Sequence, residues 1–192
     1  MQDIVADQLR QTVSVLTNVA RDAELHAILV GAAQETAKSL KAGHKLMVAG
    51  NGGSAADAQH LVAEFVSRLV KDRPALRAIA LTTDSSILTA VGNDYGYECT
   101  FARQLEALGQ PGDVFLALST SGNSPNILRA LELAHSTGVV TIGLTGRRGG
   151  RMAELCNYCL RMPSDITMNI QEAHLALEHI FCLLVEQIYF AN

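Results

Sequence analysis

A change of apolar period near Gly43 constrains this chain more than any other feature. Before it, apolar residues recur at helical spacing in two amphipathic stretches, 4–20 and 25–42, with Val5, Leu9, Val13 and Leu16 forming the stripe of the first. Gly43 ends the second. After it come five short, nearly continuous apolar runs, 46–49, 78–81, 114–118, 139–144 and 158–162, as expected of strands buried on both faces. Helical segments separate them, near 55–70, 98–108, 126–136 and 151–155. Strand and helix in alternation predict a parallel sheet with right-handed crossovers and helices on both faces.

At 192 residues and 48% apolar, the chain suits one domain over 1–192 with an ample core. A net charge of −4, scattered Lys and Arg and only 5% aromatics give no basic stripe, so nucleic acid is not expected as a partner. The opening residues 1–11 are acidic and polar where an export signal needs a cationic start and an apolar stretch, which points to the cytoplasm. The most hydrophobic segment, 175–190, is interrupted by Glu178, His179 and Glu186 and reads as a buried helix, with no membrane partner. Cys156 and Cys159 form a C-x-x-C without the second pair of a zinc ribbon, so the four cysteines are expected to be reduced thiols.

The strands end in small polar residues: Gly50-Asn51-Gly52-Gly53-Ser54, Thr82-Thr83-Asp84, Ser119-Thr120-Ser121-Gly122-Asn123-Ser124-Pro125, and Thr145-Gly146-Arg147-Arg148-Gly149-Gly150. In open α/β sheets the carboxyl edge of the strands is where ligands bind. In the third of these loops Ser124 suits the N-cap and Pro125 the first helical position, and the N–H groups of Ser121 to Ser124 are expected to converge without partners at the positive end of a helix. Such a loop cradles a phosphate. Residues 147–150 read as a plain loop.

Gly50-x-Gly52-x-x-Ala55 satisfies a loose dinucleotide fingerprint, but the acidic residue expected at the end of the next strand is displaced by a whole helix and Pro74. A tight turn approaching a sugar hydroxyl is the simpler use, with Ser54 and Asp57 as a variant capping box. On the helix behind, expected over 54–70, Asp57, His60, Glu64 and Arg68 share one face. His60 and Glu64, one turn apart, can bind a divalent metal or pass protons; a salt-bridged exposed stripe is the alternative. Asn93-Asp94-Tyr95-Gly96 reads as a turn. Gln171, Glu172, His174, Glu178 and His179 punctuate the apolar terminal helix, where polar groups need partners. Gln171 and His179 lie about 12 Å apart along it. His174 reads as a structural histidine; His26, His44 and His135 read as surface residues.

With these loops in place, the chain resembles over its whole length the sugar isomerase (SIS) domain proteins, and among them the sedoheptulose 7-phosphate isomerases, or phosphoheptose isomerases. The resemblance rests on residues 50–57, Gln59-His60 with Glu64, residues 92–96 and 119–124, Leu144-Thr145-Gly146, and Ile170-Gln171-Glu172 with His174 and His179. It implies a three-layer α/β/α sandwich with a five-stranded parallel sheet of flavodoxin-like kind. It also implies that residues 1–42 serve packing and oligomerisation in a homotetramer with active sites at subunit interfaces. Ser119, Thr120, Ser121 and Ser124 would hold the sugar phosphate, and Asn51, Gly52, Gly53, Asn93 and Asp94 would contact substrate. His60, Glu64, Gln171 and His179 would surround one zinc ion per subunit, with Glu64 and Gln171 also touching the sugar and Glu64 and His179 catalytic. The implied reaction converts sedoheptulose 7-phosphate to D-glycero-D-manno-heptose 7-phosphate through a cis-enediol, the first step toward nucleotide-activated heptose. The alternative within the fold is a non-catalytic regulator that binds a sugar phosphate or the bacterial replication initiator; such proteins lack groups matching Glu64 and His179.

Overall fold

Each apolar run expected as a strand is one in the computed structural model, which describes residues 1–191. These strands are β1 (Leu46–Ala49), β2 (Ala78–Ala80), β3 (Val114–Ser119), β4 (Val140–Thr145) and β5 (Tyr158–Arg161). They form one parallel sheet in the order β2-β1-β3-β4-β5. The chain leaves β1 toward β2 and then returns to the far side of β1 for β3. The carboxyl ends of β1 and β3 therefore flank the topological switch point, where a crevice opens in sheets of this kind.

Among the described residues eight α-helices surround the sheet: α1 (Gln2–Arg21), α2 (Ala23–Lys41), α3 (Gly53–Val66), α4 (Ser85–Tyr95), α5 (Thr100–Leu108), α6 (Pro125–Ser136), α7 (Met152–Leu155) and α8 (Thr167–Tyr189). Strand alternation builds two cores. Val114, Leu116 and Leu118 of β3 face one layer with Leu61 and Phe65 of α3, Leu29 of α2 and Leu177 and Phe181 of α8. Phe115 and Ala117 face the other, with Phe101 and Leu105 of α5 and Ile127 and Leu131 of α6.

Three local expectations change. Gly52 takes a φ of 57° and is itself the N-cap of α3, so Ser54 and Asp57 lie inside the first turns and the proposed capping box does not form. The same helix ends at Val66 rather than 70, because the backbone at Ser67 leaves helical geometry, and Arg68 drops off the shared face. Asn93 and Asp94 are not in a turn; they close α4, which Asp84 caps at its start by accepting from the Ile87 amide at 2.9 Å. No helix among the described residues is long and apolar enough to cross a membrane.

Candidate active site

The loop after β3 turns sharply at Gly122, whose φ is 64° and whose side of the backbone is pressed against the Gly149 carbonyl, leaving no space for a side chain. The loop 147–150 is thus more than a plain connection. With the start of α7 that follows it, it braces the hydroxyl-rich loop, Met152 N–H donating to Gly122 O at 3.0 Å and Arg151 N–H to Asn123 Oδ1 at 3.0 Å. Ser124 occupies the N-cap position of α6 with extended backbone, but its hydroxyl makes no cap; it meets Ser119 Oγ at 2.9 Å. Of the four amides expected to be free, Gly122 N–H donates to Ser119 O at 3.0 Å and Asn123 N–H to Ser121 Oγ at 3.1 Å. The turn needs those two bonds to hold its shape. What remains is a cluster of the Ser119, Thr120, Ser121 and Ser124 hydroxyls at the positive end of a 12-residue helix, suited to a phosphate.

The Gly-rich loop after β1 is tied to this cradle. Asn51 and Asn126 exchange amide hydrogen bonds at 2.9 and 2.8 Å, and the Tyr97 hydroxyl donates to Asn51 Oδ1 at 3.0 Å. Asn126, buried at the start of α6, and Tyr97 were not read from the sequence, since both lie outside the loops that carry its polar signature. Gln171 of α8 lies over Gly53 so closely that a Cβ there would stand 2.6 Å from Nε2. Asn93 and Asp94 are exposed and hydrogen-bonded to each other at 2.7 Å.

Farther along α3, His60 and Glu64 face His179 of α8. The two imidazole Nε2 atoms are 2.8 Å apart, the rings stand edge to face at 5.0 Å between centroids, and His60 Nε2 lies 3.6 Å from Glu64 Oε1. One ligand atom from each lies within 4.8 Å of the others. Two nitrogens so placed either share one proton or turn both lone pairs to a common cation. A His-Glu-His donor set fits zinc or another divalent ion. Gln171 stands apart from this trio, against the start of α3. The salt-bridged exposed stripe is not what forms: Glu64 is mostly buried and Arg68 is absent from it.

The seam between α3 and α8 also buries carboxyl groups. Both Glu178 carboxylate oxygens and Asp57 Oδ2 lack partners, and burial pushes Glu178 up to about 8, with Asp57 adding to the rise; burial raises Asp57 against the pull of His60. His174 is structural as expected: fully buried, with Nε2 3.3 Å from Thr145 O, it is pushed down to about 4 by burial. Cys99, Cys156, Cys159 and Cys182 are free thiols.

A doubly wound parallel sheet with a hydroxyl cradle at its switch point is the frame of a sugar-phosphate-binding domain, and residues 9–146 match the family model described as SIS domain. A phosphoheptose isomerase from Aneurinibacillus thermoaerophilus is 50% identical over 192 residues, covering 100% of this chain and 97% of that protein. Solved structures of phosphoheptose isomerases from Neisseria gonorrhoeae and Francisella tularensis superpose with TM-scores of 0.91 and 0.92 at 39% and 38% identity, each covering 97% of this chain and 98% of the other. The chain belongs to the phosphoheptose isomerase family of SIS domain proteins.

Proposed function

We propose that this chain is an aldose–ketose isomerase that converts sedoheptulose 7-phosphate to D-glycero-D-manno-heptose 7-phosphate. The observation that carries the mechanism is the meeting of Glu64 with His60 and His179 in a chain that also builds the hydroxyl cradle. Glu64 takes a proton from C1, the C1–C2 enediol forms as His179 donates to the developing oxyanion at O2, and Glu64 returns its proton to C2 as O1 gives its own back to His179 and becomes the aldehyde. The cradle, remote from the reacting carbons, turns phosphate binding into orientation. Asn51 and Gly53 hold the approach to the sugar, Gln171 reaches it from α8, and Asn93 and Asp94 complete the substrate contacts. His60, Glu64 and His179 would hold a zinc ion, and the ion when bound would supply Lewis-acid polarisation of the sugar carbonyl.

Purified protein supplied with zinc and sedoheptulose 7-phosphate is expected to form aldoheptose 7-phosphate by NMR, and Glu64→Gln to lose at least 100-fold in kcat. No turnover by the unaltered protein would end the enzyme reading and leave the sugar-phosphate-binding regulator. Full activity of Glu64→Gln would remove Glu64 as the base.

The same reading makes the site a joint product of several copies. Glu64 lies eleven residues beyond Gly53, about 16 Å down α3 from the level of the cradle. A heptose phosphate must bridge that distance within one protomer or take the trio from a neighbour. On α1, Ile4, Val5, Leu9 and Val13 are 61% or more exposed. Beside them an apolar groove of about 410 Å³, lined by Leu16, Leu29, Val30, Ile180 and Leu184, runs up to the neighbour of His179. A second copy seated there would bring its own groups beside the trio, in a homotetramer. A cytoplasmic setting fits the four free thiols.

A further inference from the structure

We propose that Arg73, together with Glu186, is a positioning residue for the isomerisation: it locks the last turn of α3, which carries Glu64, onto α8, which carries His179. The inference rests on the isomerase reading above and assigns a task to a residue on the connection between α3 and β2. The Arg73 side chain is only 6% exposed, and its guanidinium spends its donors on α3, α8 and the carbonyl of the next residue. One NH2 donates to Glu64 O at 2.6 Å and the other to Phe65 O at 2.6 Å and Pro74 O at 3.2 Å, while Nε donates to Glu186 Oε2 at 3.0 Å.

The last turn of a helix leaves carbonyls without intrahelical donors and carries negative dipole charge. In α3 no basic residue stands in that turn to answer it. Arg73 answers it from outside the helix, at the backbone of Glu64 itself. Its other partner, Glu186, lies two turns past His179 on α8 and is 4% exposed. Between these ties Phe65 and Phe181 pack across the same seam at 6.0 Å. A pair buried this deeply contributes little net stability compared with an apolar substitute, because desolvation offsets its attraction. What a planar, forked guanidinium does add is orientation, since an ammonium cannot reach two successive carbonyls and a carboxylate at once. The separation of Glu64 from His179 is thereby fixed by a residue that touches no substrate.

The test compares Arg73→Lys and the milder Glu186→Gln with the unaltered enzyme at 20 °C with zinc supplied. Both variants are expected to melt well above the assay temperature. Arg73→Lys should lower kcat 10- to 100-fold with KM for sedoheptulose 7-phosphate changed less than threefold; Glu186→Gln, which keeps an acceptor for Nε, should lose under tenfold. Independently of turnover, the imidazole NMR signals of His60 and His179 should move in Arg73→Lys while that of exposed His135 stays. Unchanged kcat and unmoved signals in folded Arg73→Lys would overturn the proposal, as would a loss confined to melting temperature. Should the unaltered protein turn nothing over, the isomerase reading fails, and the histidine signals alone decide whether Arg73 sets the seam.

Discussion

At the scale of single residues, Gly53 separates a conformational need from a spatial one. Its φ is not in the left-handed region, so alanine suits its backbone and the first turn of α3. Gln171, however, occupies the place of the missing methyl. Gly53→Ala is therefore expected to melt within a few degrees of the unaltered protein while kcat/KM falls about tenfold, through the displaced carboxamide. Unaltered kcat/KM would remove Gln171 from the substrate path. His174 makes a second case. Its folded pKa of about 4 lies below the ordinary 6.5, so the unfolded chain takes up the proton first, and the stability it contributes is full above 6.5 and lost as pH falls toward 4. That loss is a few kcal/mol. His174→Gln can still donate to Thr145 O but binds no proton, so its melting temperature relative to the unaltered protein should rise steadily from pH 7 to pH 4. A difference that does not change with pH would place the acid sensitivity elsewhere.

At the scale of elements, the strands were legible to within a residue because each is a short apolar run; β1, β3 and β4 have both faces covered, while the edge strands β2 and β5 are partly exposed. The start of α3 was not, since Ser54 and Asp57 carry a capping pattern that the positive φ of Gly52 overrides two residues earlier. Residues 119–124 announced the cradle by composition, yet the pairing of Ser119 with Ser124 and the use of the Gly122 and Asn123 amides depend on how the turn closes. The trio needed more than pattern. His60 and Glu64 share a face by period alone, but nothing local to either helix says that α3 and α8 meet at residue 179, 119 positions from His60. Packing decides that, through Leu61 and Phe65 on α3 and Leu177 and Phe181 on α8. Phe65→Ala, at a 1% exposed position on this seam, is expected to cost about 3–5 kcal/mol by chemical denaturation. It should also lower kcat more than the mutation of an equally buried ring in the opposite core, Phe115→Ala. Equal effects on kcat would mean that the seam does not govern the trio.

For the whole molecule, the geometry separates two jobs that a substrate must unite. The hydroxyl cradle sits at the carboxyl edge of the sheet, while α3 carries Glu64 some three turns away from that edge; an apolar groove between α1, α2 and α8 lies open to a second copy. If one protomer supplies the phosphate site and its neighbour the acid and base, two variants that are each inactive can repair one another. Glu64→Gln keeps an intact cradle, and Ser119→Ala combined with Ser124→Ala keeps an intact trio. Unfolded together, mixed in equal amounts and refolded, they should assemble sites in which half the cradles and half the trios are intact, independently. About one quarter of full activity is then expected, against almost none for either variant refolded alone. A protomer that completes its own site gives no such recovery, because every chain in the mixture carries one defect. Activity of the mixture no higher than that of its parents, in oligomers shown by mass to be mixed, would return the whole reaction to a single chain.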